Sequence, residues 1–181
     1  MEKPTLIVLE GVDEVGKSSV YQLLRRRTDY GPLVIDRFLA SNFAYDAFLD
    51  RDHHVGDYMR TERALMRIFN CYLVYLTAEL DELQARLVEN GADPSTPAIA
   101  GIGEVDAYFR AYYQLSLFKK ITINTTGQSF GKVTRMITDF LNLKAGRREV
   151  GKFPKKRSKQ LGVSELMRVM RIWSGLRNGR E

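Results

Sequence analysis

Gly11, Gly16, Lys17 and Ser18 stand in the order G-x4-G-K-S inside the run LIVLEGVDEVGKSS (6–19). Those residue types at that spacing can grip a polyphosphate. Two glycines let the main chain curl until successive N–H groups face one anion, and a helix N-terminus beyond them adds positive dipole. Lys17 can then bridge β- and γ-phosphates, and the Ser18 hydroxyl can bind Mg²⁺. At about 7% glycine usage the string arises by chance at roughly one position in 10⁴ to 10⁵. A glycine-rich turn ahead of a helix is the bland account, and the flanking pattern weighs against it. Residues 5–9 are a short β-prone run, and 18–27 carry Val20, Tyr21, Leu23 and Leu24 at helical spacing. The loop Gly11, Val12, Asp13, Glu14, Val15, Gly16 with Lys17, Ser18 and Ser19 is therefore the expected ATP site.

A second constellation follows at once. LVID (33–36) reads as a short strand ending in Asp36, with Arg37 next. An acid at a strand end can share the metal with Ser18, and an arginine beside it suits an acceptor that is itself anionic. The bland accounts are a turn or helix cap for Asp36 and a surface ion pair for Arg37.

Elements that would hold these residues alternate along the chain. Helical spacing appears over 41–49, 57–70, 80–90 and from Val105 to Tyr112, and again through Val133, Ile137, Phe140 and Leu141; YLVYL (72–76) and ITIN (121–124) read as strands. Tyr58, Leu65, Met66 and Phe69 would be the apolar face of the 57–70 helix. Such alternation predicts an α/β fold: a three-layer α/β/α P-loop architecture with a short parallel sheet of about four strands, ligands lying beyond the strands' carboxyl ends. The segment 91–103, with two prolines and three glycines, reads as a mobile loop.

Composition sets the frame. The 181 residues suffice for one domain with a sizeable core, carrying a net charge of +6. That charge is lopsided: residues 144–181 hold twelve Lys/Arg against Glu149, Glu165 and Glu181, a surplus of nine, so residues 1–143 carry a net −3. A domain over 1–143 with a basic extension over 144–181 is the expected organisation. Within the extension, GRREVGKFPKKRSKQLG reads as a flexible arm and SELMRVMRIWSGL as a short amphipathic helix. The arm could dock on its own domain or a twin subunit, making a homodimer, or on nucleic acid or another polyanion, or on an anionic membrane surface. One cysteine, Cys71, excludes an internal disulfide, and no run approaches the ~20 apolar residues of a membrane span. A soluble protein of the reducing cytoplasm is expected, with PKKRSK open as a nuclear import string.

Through EGVDxxGKS (10–18) and DRFLASNFAY (36–45) the chain resembles thymidylate kinases and related nucleoside and nucleotide kinases; YLTAELDELQARL (75–87) and INTTGQSFGKV (123–133) extend the similarity over roughly 5–141. The resemblance implies that Arg37 grips an acceptor phosphate, that Asp13 reaches the acceptor sugar, that Ser41 and Tyr45 line the acceptor site, that Arg86 lies near the donor phosphates or adenine, and that 91–103 is a lid closing over ATP. Taken singly, Asp13 is also a turn former, Ser41 a helix N-cap, Tyr45 a core residue and Arg86 a solvated helix residue.

The pattern departs from the family in three places. Only Thr28 to Pro32 separate the first helix from the second strand, Asp46 stands where many relatives have glutamine, and neither 12–15 nor 91–103 contains lysine or arginine. Arg60, Arg63 and Arg67 fall at three- and four-residue intervals and could meet the acceptor as a row, or form a solvated face with Glu62; Arg110 is a further candidate. His53 and His54 lack the partners of a zinc site. The expected activity is Mg²⁺-dependent transfer of the ATP γ-phosphoryl to a nucleoside monophosphate, dTMP or another deoxynucleotide, with Lys17, Asp36, Arg37 and Arg86 as the catalytic set and Ser41, Tyr45, Asp13, Arg37 and Arg63 toward the acceptor. The alternatives are a deoxynucleoside kinase, a polynucleotide 5′-kinase, and a noncatalytic nucleotide switch with a nucleic-acid-binding tail.

Overall fold

The computed structural model describes residues 3–91, 93 and 101–143. The expectations for most of the 91–103 lid, the basic arm, its helix and the import string fall outside the described residues.

Four strands form one parallel sheet in the order β2-β1-β3-β4: β1 (Thr5–Glu10), β2 (Leu33–Asp36), β3 (Asn70–Thr77) and β4 (Lys119–Asn124). Each parallel pair needs a crossover, and helices supply them. These are α1 (Lys17–Arg27), α2 (Leu39–Phe48), α3 (Val55–Ile68), α4 (Leu80–Glu89), α5 (Ile102–Leu115) and α6 (Phe130–Phe140). The fold is the three-layer α/β/α P-loop arrangement. Opposite faces of β3 show the layering, because side chains alternate along a strand: Tyr72 meets Phe140 of α6 edge-on at 6.0 Å between centroids, whereas Tyr75 stacks on Phe109 of α5 at 6.2 Å.

The central strands read as continuous apolar runs because both faces are covered. Leu6, Ile7, Val8 and Leu9 of β1 and Leu73, Val74 and Leu76 of β3 are all at most 2% exposed, and each such side chain contributes about 1.5–3 kcal/mol by leaving water. The chain moves from β1 to one side for β2 and to the other for β3, so the order reverses at β1. Ligands of open α/β sheets bind at such a switch point, outside the carboxyl ends of the strands. Glu10, Asp36, Thr77 and Asn124 mark that edge.

Some expectations change in detail. α2 begins at Leu39, two residues earlier than the apolar spacing indicates, and β3 runs from Asn70 to Thr77 because its polar ends pair with β1 and β4 as fully as its apolar middle does. Met66 is exposed, while Tyr58 and Leu65 of α3, with Phe69 at its C-cap, are buried. Glu62 is no member of a solvated face. It is 1% exposed and accepts hydrogen bonds from the Tyr112 hydroxyl (2.8 Å), the Ser116 hydroxyl (2.7 Å) and the Leu117 amide (2.6 Å), tying α3 to the last turn of α5 and the residues just after it.

A candidate phosphate cradle and its acceptor side

Residues 11–16 link β1 to α1, and steric demands shape them. Gly11 sits at φ +141°, where a Cβ would fall well inside van der Waals contact of the Leu76 carbonyl oxygen on the next strand. Gly16, at φ +89°, is overlain by the Phe130 ring in the same way. Both positions therefore require glycine. Between them Val12 and Val15 are fully buried, pinning the loop into the core. No side chain caps α1 and no acid lies in its first turn, so its leading N–H groups are left for an anion.

Lys17 is 5% exposed, and its Nζ donates to the Gly11 (2.8 Å) and Val12 (2.6 Å) carbonyls across the loop. Burial, with Arg37 nearby, lowers its pKa to about 8 despite the carboxylates of Asp13, Asp36 and Glu10. Ser19, in the first turn of α1, is exposed. Ser18 Oγ donates to Asp36 Oδ2 at 3.1 Å, and Asp36 Oδ1 is buried without a hydrogen-bond partner. Serine hydroxyl and carboxylate form the hard-oxygen pair that suits Mg²⁺, an ion usually held by one or two protein ligands plus substrate phosphates. The described residues offer no cluster of three or more His, Cys, Asp or Glu for a metal.

Arg37 follows Asp36 at φ +65°, a left-handed conformation that costs free energy outside glycine. Its amide bonds the Leu9 carbonyl (3.0 Å), and its guanidinium is thereby turned to Asp13 at the cradle's lip, where the two form an ion pair. The Tyr45 hydroxyl donates to the other Asp13 oxygen at 2.9 Å. Burial works against ionisation of Asp13, but the Arg37 and Tyr45 contacts outweigh it and hold its pKa below the ordinary carboxylate value. Tyr45 is thus half-buried and polar in role, more than a core residue.

Glu10 was not singled out by sequence, yet it organises this side. At 1% exposure, its Oε1 accepts from the Phe38 (2.7 Å) and Ala40 (3.1 Å) amides, and its Oε2 from the Ser41 hydroxyl (2.6 Å). Phe38 is the N-cap of α2 and has no side chain able to cap it, so the carboxylate of β1 does so from across the sheet. Burial raises the Glu10 pKa, against those hydrogen bonds and Lys17. Ser41 is therefore neither an N-cap nor open toward an acceptor: it is buried and committed to Glu10. An acid closing an apolar strand, LIVLE, was the available signal.

Arg86 reaches the cradle from α4: Nη1 donates to the Glu14 carbonyl at 3.0 Å, while Nη2 pairs with Glu82 one turn back. Asn90 Nδ2 adds a contact to Glu14 Oε2 at 2.7 Å, a residue with positive φ (+61°). The structure does not bring the arginines of α3 into this cluster. Arg63 and Arg67 are exposed and Arg60 pairs with Asp57; Arg110 pairs with Asp106 on its own helix. His53 packs edge-on against Phe43 at 5.4 Å, with Nδ1 2.8 Å from the Arg51 carbonyl.

A cavity of about 590 Å³ lies apart from the cradle, lined among others by Tyr75, Glu79, Asp106, Arg110 and Asn124 on the α5 face of β3 and β4. None of the cradle residues lines it. The buried lysine, the Asp36 oxygen without a partner and the strained arginine all lie at the cradle and not at that cavity.

No family model matches the sequence, and no curated protein matches it. Solved structures do. The chain superposes on the YorR protein of Bacillus subtilis, solved in complex with phosphorylated GDP, with a TM-score of 0.64 at 22% identity over 77% of this chain and 96% of that one. Thymidylate kinase from Candida albicans aligns at 12% identity over 77% and 92% of the two chains, with a TM-score of 0.48. An uncharacterized protein from Eubacterium ventriosum aligns at 15% identity over 78% and 100%, with a TM-score of 0.49. The first of these likenesses shows that the chain shares the α/β fold of YorR.

Proposed function

We propose that this protein transfers the γ-phosphoryl group of ATP to a nucleoside monophosphate. One observation carries the proposal: a guanidinium, Arg37, is held in a costly backbone conformation at the lip of the phosphate cradle, beside the carboxylate that faces Ser18. A protein that only binds a triphosphate has no use for a second cation there. An enzyme that must bring two phosphates together does, because their repulsion has to be offset before they can meet.

The roles follow from position. The loop amides of 11–16 and Lys17 bind the donor phosphates. Ser18 and Asp36 hold Mg²⁺, which when bound neutralises part of the triphosphate charge and orients its oxygens. Arg37 leaves Asp13 to bind the acceptor phosphate, and Asp13 with Tyr45 is then free to meet the sugar. Arg86 supports the donor side and supplies the arginine that 12–15 and 91–103 lack. Catalysis is positioning and charge compensation, with no covalent step on the protein.

The nucleoside-kinase alternative needs a general base near neutrality. Asp13 is a poor one, because Arg37 and Tyr45 lower its pKa. The acceptor class implied by resemblance is a deoxynucleotide, dTMP above all, and it is the member of the class most directly testable. Incubating the protein with Mg·ATP and, in turn, each nucleoside and each nucleoside monophosphate, and following ADP release, tests the proposal. Release with a monophosphate and not with its nucleoside is expected; no release above background with any acceptor would falsify it.

A further inference from the structure

Resting on the reading of 11–18 as the donor site, we propose that Asn90 is a positioning residue for the triphosphate: it holds the Glu14 carboxylate on the outer side of the phosphate cradle. Residues 11–16 contain two acids, Asp13 and Glu14, where a polyanion is to bind. The charge of Asp13 is offset by its ion pair with Arg37. Glu14 makes no ion pair among the described residues; its Oε2 accepts from the neutral side-chain amide of Asn90 at 2.7 Å. The negative charge therefore persists, and where it points matters to any phosphate in the loop.

Both contacts to Glu14 come from one helix face. Arg86 and Asn90 stand four residues apart at the end of α4, with Asn90 as its C-cap, a spacing that stacks them one turn above the other. Arg86 Nη1 donates to the Glu14 carbonyl and Asn90 Nδ2 to the carboxylate. The Arg86 guanidinium has its own acid, Glu82, so it does not neutralise Glu14. A trans peptide sends its C=O and N–H to opposite sides, and the chain has no cis bond. A Val15 amide turned to the phosphates thus puts the Glu14 carbonyl, and the α4 face that meets it, on the far side of the loop. Asn90 draws the carboxylate to that same side. Glu14 also sits at φ +61°, a costly conformation outside glycine that the surroundings must hold in place. The two donors of α4 do so.

Without the Asn90 amide, the Glu14 side chain is free to rotate toward the donor phosphates. Repulsion between like charges about 4 Å apart in water-like surroundings corresponds to a loss of about five- to tenfold in affinity. A neutral glutamine at position 14 removes that repulsion whether or not it is held. A purely structural contact behaves differently, since glutamine can no more bond to an alanine at position 90 than glutamate can.

The test is calorimetric titration of the full-length chain with Mg·ATP for the wild type, Asn90→Ala, Asn90→Asp and each of these two combined with Glu14→Gln, with Glu14→Gln alone as the reference. Asn90 is exposed at a helix end, so the fold is expected to tolerate its replacement. Asn90→Ala should weaken ATP about five- to tenfold, and Asn90→Asp, which sets one carboxylate against another, at least as much. Glu14→Gln should restore both to within about twofold of the reference, because it removes the charge in the first and re-forms the hydrogen bond with its polarity reversed in the second. The loss in Asn90→Ala should also shrink between about 50 mM and about 500 mM salt. Unaltered ATP affinity in Asn90→Ala, or a loss that Glu14→Gln does not repair, or one indifferent to salt, overturns the inference while leaving the donor-site reading in place. Absence of ATP uptake by the wild-type protein overturns both.

Discussion

The two regions proposed as donor and acceptor sides are made from different materials. Residues 11–18 present backbone amides, and their conformation is forced from within: Gly11 has no room for a Cβ beside Leu76, and Val12 and Val15 are fully buried. Residues 36–45 present side chains, and their conformation is imposed from outside, by Glu10 on β1 and Asp13 in the cradle. Backbone recognition of phosphates tolerates little change, because the loop either curls or does not. Side-chain recognition is assembled from several separate contacts, so acceptor choice can be altered while the donor site is left intact.

The largest effect that can break this contrast is Lys17→Met. Loss of the cation between donor phosphates should lower turnover about 10³-fold or more, while removal of a buried charge leaves the melting temperature unchanged or higher. A fall in melting temperature would mean that Lys17 serves the fold instead. Next, Arg37→Ala should raise the acceptor KM about 10- to 100-fold, the value of a charge-assisted hydrogen bond, and leave ATP affinity nearly unaltered; equal losses for donor and acceptor would erase the division between the two sides. Glu10→Gln comes third. One amide cannot accept all three hydrogen bonds, so about 1–2 kcal/mol of stability should be lost at the α2 N-terminus, with the acceptor KM rising about tenfold and ATP binding kept. Denaturant midpoints and a KM measurement for each substrate decide it.

The smallest effect sharpens the contrast through pH. With a folded pKa of about 8 against an ordinary 10.5, Lys17 binds its proton less readily in the native than in the unfolded chain. Between those two values the unfolded state carries more protons, so stability without nucleotide should rise with pH across that window and level off outside it. Triphosphate binding needs the charged amine, and ATP affinity should therefore fall about fivefold between pH 8 and pH 9. Acceptor affinity should not follow it. Titration of ATP at fixed magnesium over that range is the measurement, and a flat profile would show that the lysine charge is not at issue.

Much of the architecture was legible beforehand. The G-x4-G-K-S string, the short second strand and the alternation of short apolar runs with 3.6-residue periods depend on local chemistry, and local chemistry is written in consecutive residues. Glu62 and Glu10 were not legible. Each is a carboxylate buried by partners 28 to 55 positions away, and nothing within a helical or strand window distinguishes such a residue from a solvated one. Ser41 shows the same limit from the other direction: its type suits a cap, and only the carboxylate of β1 reveals that it serves as a donor. The row of Arg60, Arg63 and Arg67 was correctly placed on one helix, but helix spacing says nothing about which way a face turns.

The sequence by itself determined that a curled, glycine-dependent loop joins a buried strand to a helix, because φ requirements and apolar periodicity are properties of neighbouring residues. Tertiary structure alone decided what that loop faces. Asp36 Oδ1 without a partner, Arg37 turned onto Asp13 and Arg86 against the Glu14 carbonyl all arise where separate elements meet at the carboxyl edge of the sheet. Their energies depend on distances across the fold, and those exist only once β1, β2, α2 and α4 have packed together.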